Sequence, residues 1–509
     1  MSSNDLEVKR LKRVFGVVYF AQGMNGLPQL SIFYYMMNIL KLGPVAGQFF
    51  QGLNHLAWYI KPLWGFISDR VPILGYRRKS YFGVMAVLAL FSWLGIALLT
   101  YLQWTWVLPY IILINVAQLS YAFVDVVVDA LMVEHGQKLK LVGSFVNFQW
   151  LMLSLASVFV AVTSGWFQEK VEQNILPYWI VFASTACFPL FTAIIGMTNL
   201  DEERIRKTKP FLKRGVKSFK NHLFQWPNRF HSMTQAFKNF RQKERHLLFL
   251  ILFIVAWNFS PSISYAGKTY MAKELHFTPT IFGILNAVSS LVWLLSIFVY
   301  RWFARHFSRV RWDQYLYGMV VIAVISLLSG YYFYLPVDHP LSLTIPFSWE
   351  KILSWGSQFK GSSIGALFYK FLEGASNWNR YHWWALFTDT TLGFASIPAF
   401  LIPLTLAGEA ASRSNAGFTY ALLMSVSNFT HALEDITGGA LYQLLSASWM
   451  QGFMRFFEYS SLNISRSHNS MVLILQIFVY MSAFFTIIAT PFIWLTRREF
   501  LRKGIQVHL

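Results

Sequence analysis

Cysteine and charge are the two scarcest features of this sequence. Cys187 is the single cysteine and stands in an apolar stretch, so an intrachain disulfide is impossible. Charged residues make up 13% of the chain, whereas roughly a quarter is usual in soluble domains. This shortage of charge, together with 55% hydrophobic residues, excludes an ordinary soluble protein and predicts a polytopic membrane protein.

Motifs of catalysis are also missing. The sequence has no phosphate-binding loop, metal-ligand cluster or nucleophile motif in a useful context. We therefore expect that the protein is not an enzyme and binds neither a cofactor nor a metal. A net charge of +20 could indicate a nucleic-acid partner. The positive residues, however, lie between apolar runs and form no basic face, so no nucleic acid is expected.

Long apolar runs are what the sequence has in abundance. A run of about 20 apolar residues can cross the hydrocarbon core of a bilayer as a helix. The first run is too long for a signal peptide and lacks a clear cleavage site, so we expect the mature protein to retain it. The runs predict an all-α membrane protein with twelve transmembrane helices at 14–38, 47–68, 80–101, 105–131, 142–165, 178–198, 247–267, 278–302, 313–335, 381–406, 416–444 and 471–496.

A basic segment divides these runs six and six. Residues 199–246 carry about three times as many Lys and Arg as Asp and Glu, which predicts a cytoplasmic linker on anionic headgroups. The predicted halves are residues 1–198 and 247–509, the second with external inserts near 336–380 and 445–470. With both termini cytoplasmic, about three quarters of the 43 Lys and Arg residues lie on that side, as membrane topology favours. We expect a monomer in a lipid bilayer, most simply the bacterial inner membrane.

A charged hinge separates the second and third runs. Its sequence, GFISDRVPILGYRRKS over residues 65–80, resembles the loop between helices 2 and 3 of the major facilitator superfamily, with a few residues inserted. The resemblance implies two six-helix halves and a hinge that latches the transporter on one side. The implied gating residues are Asp69, Arg70, Arg77, Arg78 and Glu134. The alternative is a basic loop that only sets topology.

Lys61 is a cation inside a predicted span, where an unpaired charge is costly. Asn54, Trp58 and Lys61 recur at helical spacing, so they share one face of the second helix. We expect this face to meet a cavity and to bind an anionic aromatic compound. The alternative is that Lys61 extends to the cytoplasmic headgroups, about two turns away.

Two carboxylates lie one turn apart in the fourth run. Asp125 and Asp129 repel each other when both are charged, so we predict that at least one of them carries a proton. Asp125 lies deeper and has no cation along its own helix, which makes it the first candidate for proton coupling, with Asp129 second. For Asp129 and Glu134 the alternative is a structural pairing with Arg77 and Arg78.

Polar residues also lie in runs that are easily broken. Gln22 and Asn25 stand among two glycines and a proline in the first run, and Asn258 precedes a proline by three residues in the seventh. Transporters bind substrates at discontinuous helices near the middle of the bilayer. We therefore predict that Gln22, Asn25, Asn258 and Trp257 contribute to substrate binding.

Several stretches closely resemble the folate–biopterin transporter family of the major facilitator superfamily. They are YFAQGMNGLP, WYIKPLWGFISDRVPILGYRRKSY, DVVVDALMVE and GFTYALLMSVSNF, the last followed by a pair of glycines. The resemblance implies a secondary transporter that imports folate or related pterins, driven by protons. A folate stacks through its ring and pairs through its carboxylates. The candidate stacking side chains and cations are Trp58, Tyr34, Trp257, Trp293, Lys61, Lys268 and Arg380.

The sequence leaves open the identity of the substrate and of the proton-coupling residue. Asp389, Glu434 and Asp435 lie in the outer halves of the late runs, and the sequence leaves open which of them, or Asp125, faces a cavity. A carrier of the same fold could transport a muropeptide, an amino acid or a drug. A receptor or assembly factor could keep the fold without transporting anything, but the ionisable residues inside the spans favour transport.

Overall fold

The computed structural model describes most of the predicted spans. The described residues are 3–54, 56–76, 78–139, 141–200, 202, 204, 245–306, 311–334, 353–355, 357–358, 361, 376–410, 416–447 and 470–503. Their regular secondary structure is helical, apart from one isolated bridge between Ile73 and Tyr76. The predicted linker and external inserts lie almost entirely outside these residues, so the division into halves stays a prediction.

Residues 3–199, called the first half below, form helices that follow the first six apolar runs. They are α1 (Ser3–Gly23), α2 (Gln29–Asn38), α3 (Pro44–Asn54), α4 (Leu56–Tyr59), α5 (Lys61–Arg70), α6 (Lys79–Tyr101), α7 (Val107–Leu139), α8 (Val142–Glu172), α9 (Tyr178–Thr185) and α10 (Cys187–Asn199).

Residues 245–503, called the second half, follow the remaining runs. Their helices are α11 (Arg245–Asn258), α12 (Ser264–Lys273), α13 (Pro279–His306), α14 (Trp312–Ser329), α15 (Arg380–Ala410), α16 (Ala416–Ser446), α17 (Ser470–Ile488) and α18 (Thr490–Arg502).

Each predicted run falls on one helix or on consecutive helices. Among the described residues, seven stretches are long and apolar enough to cross a membrane: 79–101, 107–136, 148–172, 178–199, 279–296, 312–334 and 471–502. The prediction of an all-α membrane protein is confirmed. The count of twelve is not reached by this criterion, partly because the first, second and seventh runs are broken into shorter helices.

The first and seventh runs break where the sequence places its prolines. The first passes through a 3₁₀ turn at Met24–Gly26, just before Pro28. In the seventh, α11 ends at Asn258 and α12 begins at Ser264, with Pro261 between them. Proline lacks a backbone N–H and crowds the preceding turn, so a continuous helix is disfavoured at both places. Both breaks are as the sequence predicts.

The two halves pack closely where α8 crosses α13. A Cβ added to Gly165 would lie 2.9 Å from the Cα of Gly283, and a Cβ added to Gly283 would lie 2.8 Å from the carbonyl oxygen of Ala161. Glycine at these positions lets the helix backbones approach, as small residues do between membrane helices. The rings of Trp150 and Trp293 extend the contact, with centroids 5.3 Å apart.

An aromatic cluster joins the halves at one end of the bundle. Phe33 of α2 lies edge-on to Tyr265 of α12 and Phe282 of α13, with centroids 5.4 and 6.5 Å apart. The hydroxyl of Tyr34 donates to the carbonyl of Phe277 at 3.4 Å. Tyr34 is therefore buried in this cluster and is not the stacking surface expected from the sequence. We call this end the closed end, and the opposite end, at residues 71–78, the hinge end.

The glycine contact gives a test of how the halves pack. We expect Gly283→Ala to lower the midpoint of thermal unfolding in detergent, because overpacking costs about 1–3 kcal/mol. Gly318→Ala in α14 is the matched control, since nothing lies within 4 Å of its added Cβ. Alanine at 318 should leave the midpoint unchanged or raise it, because alanine favours helix over glycine. Equal midpoints for the two variants would contradict close packing at Gly283.

Candidate functional site

Asp125 lies at the centre of a buried group of charged and polar side chains in the first half. Nζ of Lys61, at the start of α5, lies 2.5 Å from Oδ2 of Asp125. Gln22 of α1 donates from Nε2 to the other oxygen, Oδ1, at 2.9 Å. Lys61 is not on α7, so it does not contradict the expectation that Asp125 has no cation along its own helix, but the carboxylate is paired all the same. The cation comes from a neighbouring helix, which the spacing of residues along α7 cannot reveal.

Asp129 is held by neutral donors. The hydroxyl of Tyr19 donates to its Oδ1 at 2.6 Å, and Nε2 of Gln149 donates to the same oxygen at 3.3 Å. Of the two partners considered from the sequence, Arg78 pairs with Glu134 and not with Asp129, and Arg77 lies outside the described residues. Among the described residues, Asp125 has a cation in contact and Asp129 has none, although the two carboxylates lie one turn apart. We call Asp125, Lys61, Gln22, Asp129, Tyr19 and Gln149 the Asp125 network.

A cluster of amide and indole groups borders this network. Oε1 of Gln118 accepts from Nε1 of Trp58 at 3.0 Å and from Nδ2 of Asn25 at 3.1 Å. Nζ of Lys61 lies 4.7 Å from the centre of the Trp58 ring, a cation–π arrangement. Asn54 is buried on α3, and its Oδ1 has no hydrogen-bond partner among the described residues. The residues predicted in the first half therefore come together, but Lys61 is neutralised by the protein itself.

A cavity of about 720 Å³ lies between α8 and the helices of the second half. Its wall combines aromatic rings with hydroxyl, amide and carboxylate groups. The wall includes Trp150, Trp257, Asn258, Trp293, Asp389, Ser396, Phe400, His431 and Glu434. Trp257 and Asn258, both predicted from the sequence, thus face the cavity from the end of α11. In the described part of the chain, no group of three or more His, Cys, Asp or Glu is placed to hold a metal ion.

Three carboxylates of the second half have different surroundings. Asp389 and Glu434 line the cavity. Oε2 of Glu434 lies 3.0 Å from Nδ1 of His431, and Oδ1 of Asp435 accepts from Gln48 at 2.6 Å. Asp389 is accessible and forms no hydrogen bond or ion pair within the part of the chain that the structure describes. Of the two carboxylates in this cavity wall, Asp389 is thus the one without a hydrogen-bond or ion-pair partner among the described residues.

Comparison with known proteins identifies the family. The profile of the BT1 family matches residues 22–340, a range that includes the Asp125 network except Tyr19, together with part of the cavity wall. The chain belongs to the BT1 family. Among its relatives, the folate-biopterin transporter of Synechocystis sp. is 26% identical over 449 residues, 85% of this chain and 75% of that protein. The putative folate transporter 2 of Plasmodium berghei is 25% identical over 300 residues, 57% of this chain and 58% of that protein.

Solved structures of transporters share the fold of this BT1-family chain. The POT family transporter PepTSo matches with a TM-score of 0.64 and 12% identity, over 97% of this chain and 98% of that one. A D-xylose-proton symporter matches with a TM-score of 0.59 and 13% identity, over 97% and 98%. Such low identities establish the fold alone, and the predicted major facilitator architecture is confirmed. The family and its relatives are transporters, not enzymes, as the sequence indicates.

Gln48 of α3 ties the halves together at the closed end of this BT1-family protein. Its Nε2 donates to Asp435 of α16 at 2.6 Å, and its Oε1 accepts from the backbone N–H of Tyr265 of α12 at 3.0 Å. Only 1% of Gln48 is exposed, so one buried amide bridges α3 to two helices of the second half. Sequence reasoning missed this residue, although an amide in an otherwise apolar run was the signal that identified Gln22.

The hinge contains a tight turn. Leu74 and Gly75 have φ angles of 52° and 86°, and Ile73 and Tyr76 exchange backbone hydrogen bonds of 3.0 and 2.9 Å around them. A positive φ costs glycine little because it has no Cβ. The residues that lengthen the hinge, compared with the superfamily loop, therefore form a closed turn rather than an open loop.

Two glutamates, one on α7 and one just beyond α10, bind the hinge. Nη2 of Arg78 lies 2.6 Å from Oε1 of Glu134 on α7, as the structural alternative expected. Glu202, beyond α10, accepts the backbone N–H groups of Arg78 and Lys79 at 3.1 and 2.8 Å and so satisfies the first turn of α6. Sequence reasoning missed Glu202, which stands in the acidic DEE segment directly after the sixth run. The side chains of the other predicted gating residues lie outside the described residues: Asp69, Arg70 and Arg77.

The Gln48 bridge predicts how the closed end opens. Gln48→Glu removes the donor to Asp435 and places two carboxylates together, and losing a hydrogen bond to a charged group costs about 1.5–3 kcal/mol. We therefore expect about a 10-fold or greater increase in labelling of a cysteine at Met271, which lines the cavity. The measurement uses an impermeant maleimide from the closed-end side, with Met271→Cys in a Cys187→Ser background.

Gln51→Glu is the matched control, on the same helix and with the same chemical change. Oε1 of Gln51 accepts a hydrogen bond from the hydroxyl of Ser264 at 2.9 Å, and a glutamate can still accept that bond. Its labelling rate should stay within about 2-fold of the parent. Equal acceleration by both variants would mean that added negative charge, and not the loss of the bridge, opens the closed end.

Proposed function

We propose that this protein imports folate or related pterins as a proton-coupled secondary transporter that works by alternating access. The substrate class is supported by relatives that carry the names folate-biopterin transporter and folate transporter. The observation that carries the mechanism is a cavity in the second half, bordered by Trp150 of the first half, in a protein whose halves are tied by hydrogen bonds at one end.

The cavity suits a flat, polar heteroaromatic compound. Its volume of about 720 Å³ falls within the range of roughly 300–1,000 Å³ found for small-molecule sites. Trp150, Trp293 and Phe400 offer ring faces for stacking. Trp257 and Asn258 are our candidates for direct substrate contact, because both line the cavity beside the break between α11 and α12.

Alternating access requires the ties at the closed end to break. All the hydrogen bonds between the halves that the structure describes lie towards this end, including those of Gln48, Tyr34 and Thr280. When they separate, the cavity becomes accessible from the closed-end side, and the hinge end must close to prevent a leak. We assign that closure to the hinge, with Asp69, Arg70, Arg77, Arg78 and Glu134 as its latch.

We assign proton coupling to Asp125 and its neighbour Asp129. Lys61 is held by Asp125 in the present state, so its ammonium is not available to an anion. Protonation of Asp125 would cancel this attraction and free Lys61 for an anionic substrate or for Asp129. Proton binding and anion binding would then favour each other, which is the thermodynamic definition of coupling. Gln22, Asn25, Trp58 and Asn54 would hold the two groups in place.

We place both termini in the cytoplasm and the protein, as a monomer, in a bacterial plasma membrane. About three quarters of the 43 Lys and Arg residues lie in segments that this orientation makes cytoplasmic. Such an excess is the usual determinant of membrane topology. In this orientation the hinge end faces the cytoplasm and the closed end faces outwards.

Uptake competition tests the substrate. Labelled folate should enter proteoliposomes that contain the protein, and unlabelled 5-formyl-folate or biopterin should reduce that uptake at least about 10-fold when present in large excess. An unrelated dipeptide should not compete. A protein that carries the dipeptide and ignores every pterin would overturn the proposed substrate class.

Asp125→Asn tests the coupling assignment. The amide mimics a protonated carboxylate that cannot release its proton, so gradient-driven accumulation should fall at least about 10-fold. Exchange of internal for external substrate should stay within about 3-fold, because exchange needs no net proton movement. The measurement compares pH-driven accumulation with counterflow in the same vesicles.

Two further variants keep this test decisive. Glu172→Gln, a carboxylate at the end of α8 outside the Asp125 network, should leave both accumulation and exchange intact. Removing one partner of a buried ion pair can cost about 3–5 kcal/mol, so the double variant Asp125→Asn, Lys61→Gln provides a neutral pair if the single variant folds poorly. pH-driven accumulation by either Asp125 variant would assign coupling to another group.

A further inference from the structure

Asp389 lines the cavity, and Lys268 is an accessible cation on α12, a helix that borders the same cavity; neither side chain has a partner among the described residues. Asp389 shares one face of α15 with Ser396 and Phe400, and all three line the cavity. Lys268 lies on α12 between Ser264 and Met271, which also line the cavity and share its helix face. Both charged side chains are accessible, although they lie along helices of the membrane bundle.

The two charges attract each other but do not touch. The ammonium of Lys268 interacts electrostatically with the carboxylates of Asp389 and Asp435. Within the described residues, neither Lys268 nor Asp389 forms a hydrogen bond or an ion pair. Unpaired charges in a membrane protein are costly and usually mark a functional site, so a ligand that pairs with both gains an interaction that the protein leaves unmade.

The remaining carboxylates around the two sites are already engaged. Lys61 and Gln22 occupy Asp125, Tyr19 and Gln149 hold Asp129, His431 contacts Glu434, and Gln48 binds Asp435. Asp389 differs from all four, because both of its oxygens are available to a ligand in the cavity. It is therefore the acceptor that can make two parallel hydrogen bonds.

We propose that Asp389 selects the pterin ring, with Lys268 as its partner; this assignment rests on the proposed function. The pyrimidinone edge of a pterin presents, in order, an amino N–H, a ring N–H and a carbonyl oxygen. One carboxylate accepts from the two adjacent N–H groups, and an ammonium donates to the carbonyl oxygen. Trp293 lines the same cavity and offers a face for the ring.

A lumazine tests this pattern, because it differs from a pterin by an oxo group in place of the amino group, with a hydrogen on the adjacent ring nitrogen. Its edge carries a carbonyl oxygen where the pterin carries the amino group, so that oxygen would face the Asp389 carboxylate without a hydrogen. Sites built to bind an N–H strongly reject an analogue that lacks it. Wild-type protein in nanodiscs should bind 6-methylpterin at least about 100-fold more tightly than 6-methyllumazine, measured by calorimetry or by displacement of labelled folate.

Asp389→Asn should invert this preference. The amide oxygen accepts from the ring N–H and the amide nitrogen donates to the lumazine carbonyl, so the variant should favour 6-methyllumazine about 10-fold. Lys268→Met should lower the affinity for both ligands by a similar factor and leave the ratio of the two affinities unchanged, because both ligands carry the carbonyl oxygen to which Lys268 donates. Glu434→Gln, the same chemical change in a carboxylate held by His431, should keep the pterin preference.

The outcomes separate this inference from the proposed function. Wild-type protein that binds pterins but does not distinguish them from lumazines overturns the role of Asp389 and leaves the transport proposal standing. An unchanged ratio in Asp389→Asn, or an inverted ratio in Glu434→Gln, also overturns it. Wild-type protein that binds neither ligand nor folate refutes both. If Asp389→Asn fails to fold, the wild-type preference and the Lys268→Met ratio decide the question.

Discussion

The hydrocarbon core offers no water to polar groups, and this absence governs the structure. A backbone or charged group without a partner there costs several kcal/mol. The ion pair between Lys61 and Asp125 satisfies this constraint inside the first half. The helix break after Asn258 satisfies it differently, because this segment borders the cavity and the Asn258 amide bonds to Ser427. A buried charge therefore occurs where the protein supplies a partner, and a broken helix occurs where its polar groups border the cavity or bond to a neighbouring side chain.

The two halves use their charged groups in different ways. In the first half, the carboxylates of Asp125 and Asp129 are covered by donors from neighbouring helices. In the second half, Asp389 lines the cavity and Lys268 is accessible nearby, and neither side chain is paired within the described residues. A paired charge can store or release a proton without contacting the substrate, whereas an unpaired charge is free to recognise it. This difference is the physical basis for placing coupling in one half and ring recognition in the other.

Local patterns in the sequence predicted the helices and their breaks, but not the contacts between them. Apolar runs located each helix, and proline beside polar residues located the interruptions. The residues of the Lys61–Asp125 pair lie 64 positions apart, and those of the Gln48–Asp435 bond lie 387 apart. No periodicity within one helix carries such information. Most residues of the site could therefore be predicted from the sequence, but not which of them neutralise one another. Gln48 and Glu202 were not predicted either, because their contacts form only when distant helices pack together.

The positions of these residues on their helices suggest how the sites communicate. Tyr265, whose backbone N–H donates to Gln48 at the closed end, lies three residues before Lys268 on α12. A ligand that draws Lys268 towards Asp389 must therefore act on the helix that carries the closing contact. In the first half, Gln48 and Lys61 lie on the same interrupted run, from α3 to α5. Release of Lys61 by a proton would thus act on the run that carries Gln48, and binding of a ligand to Lys268 would act on the helix that carries Tyr265. Both events would therefore affect the hydrogen bond between Gln48 and Tyr265 that holds the closed end.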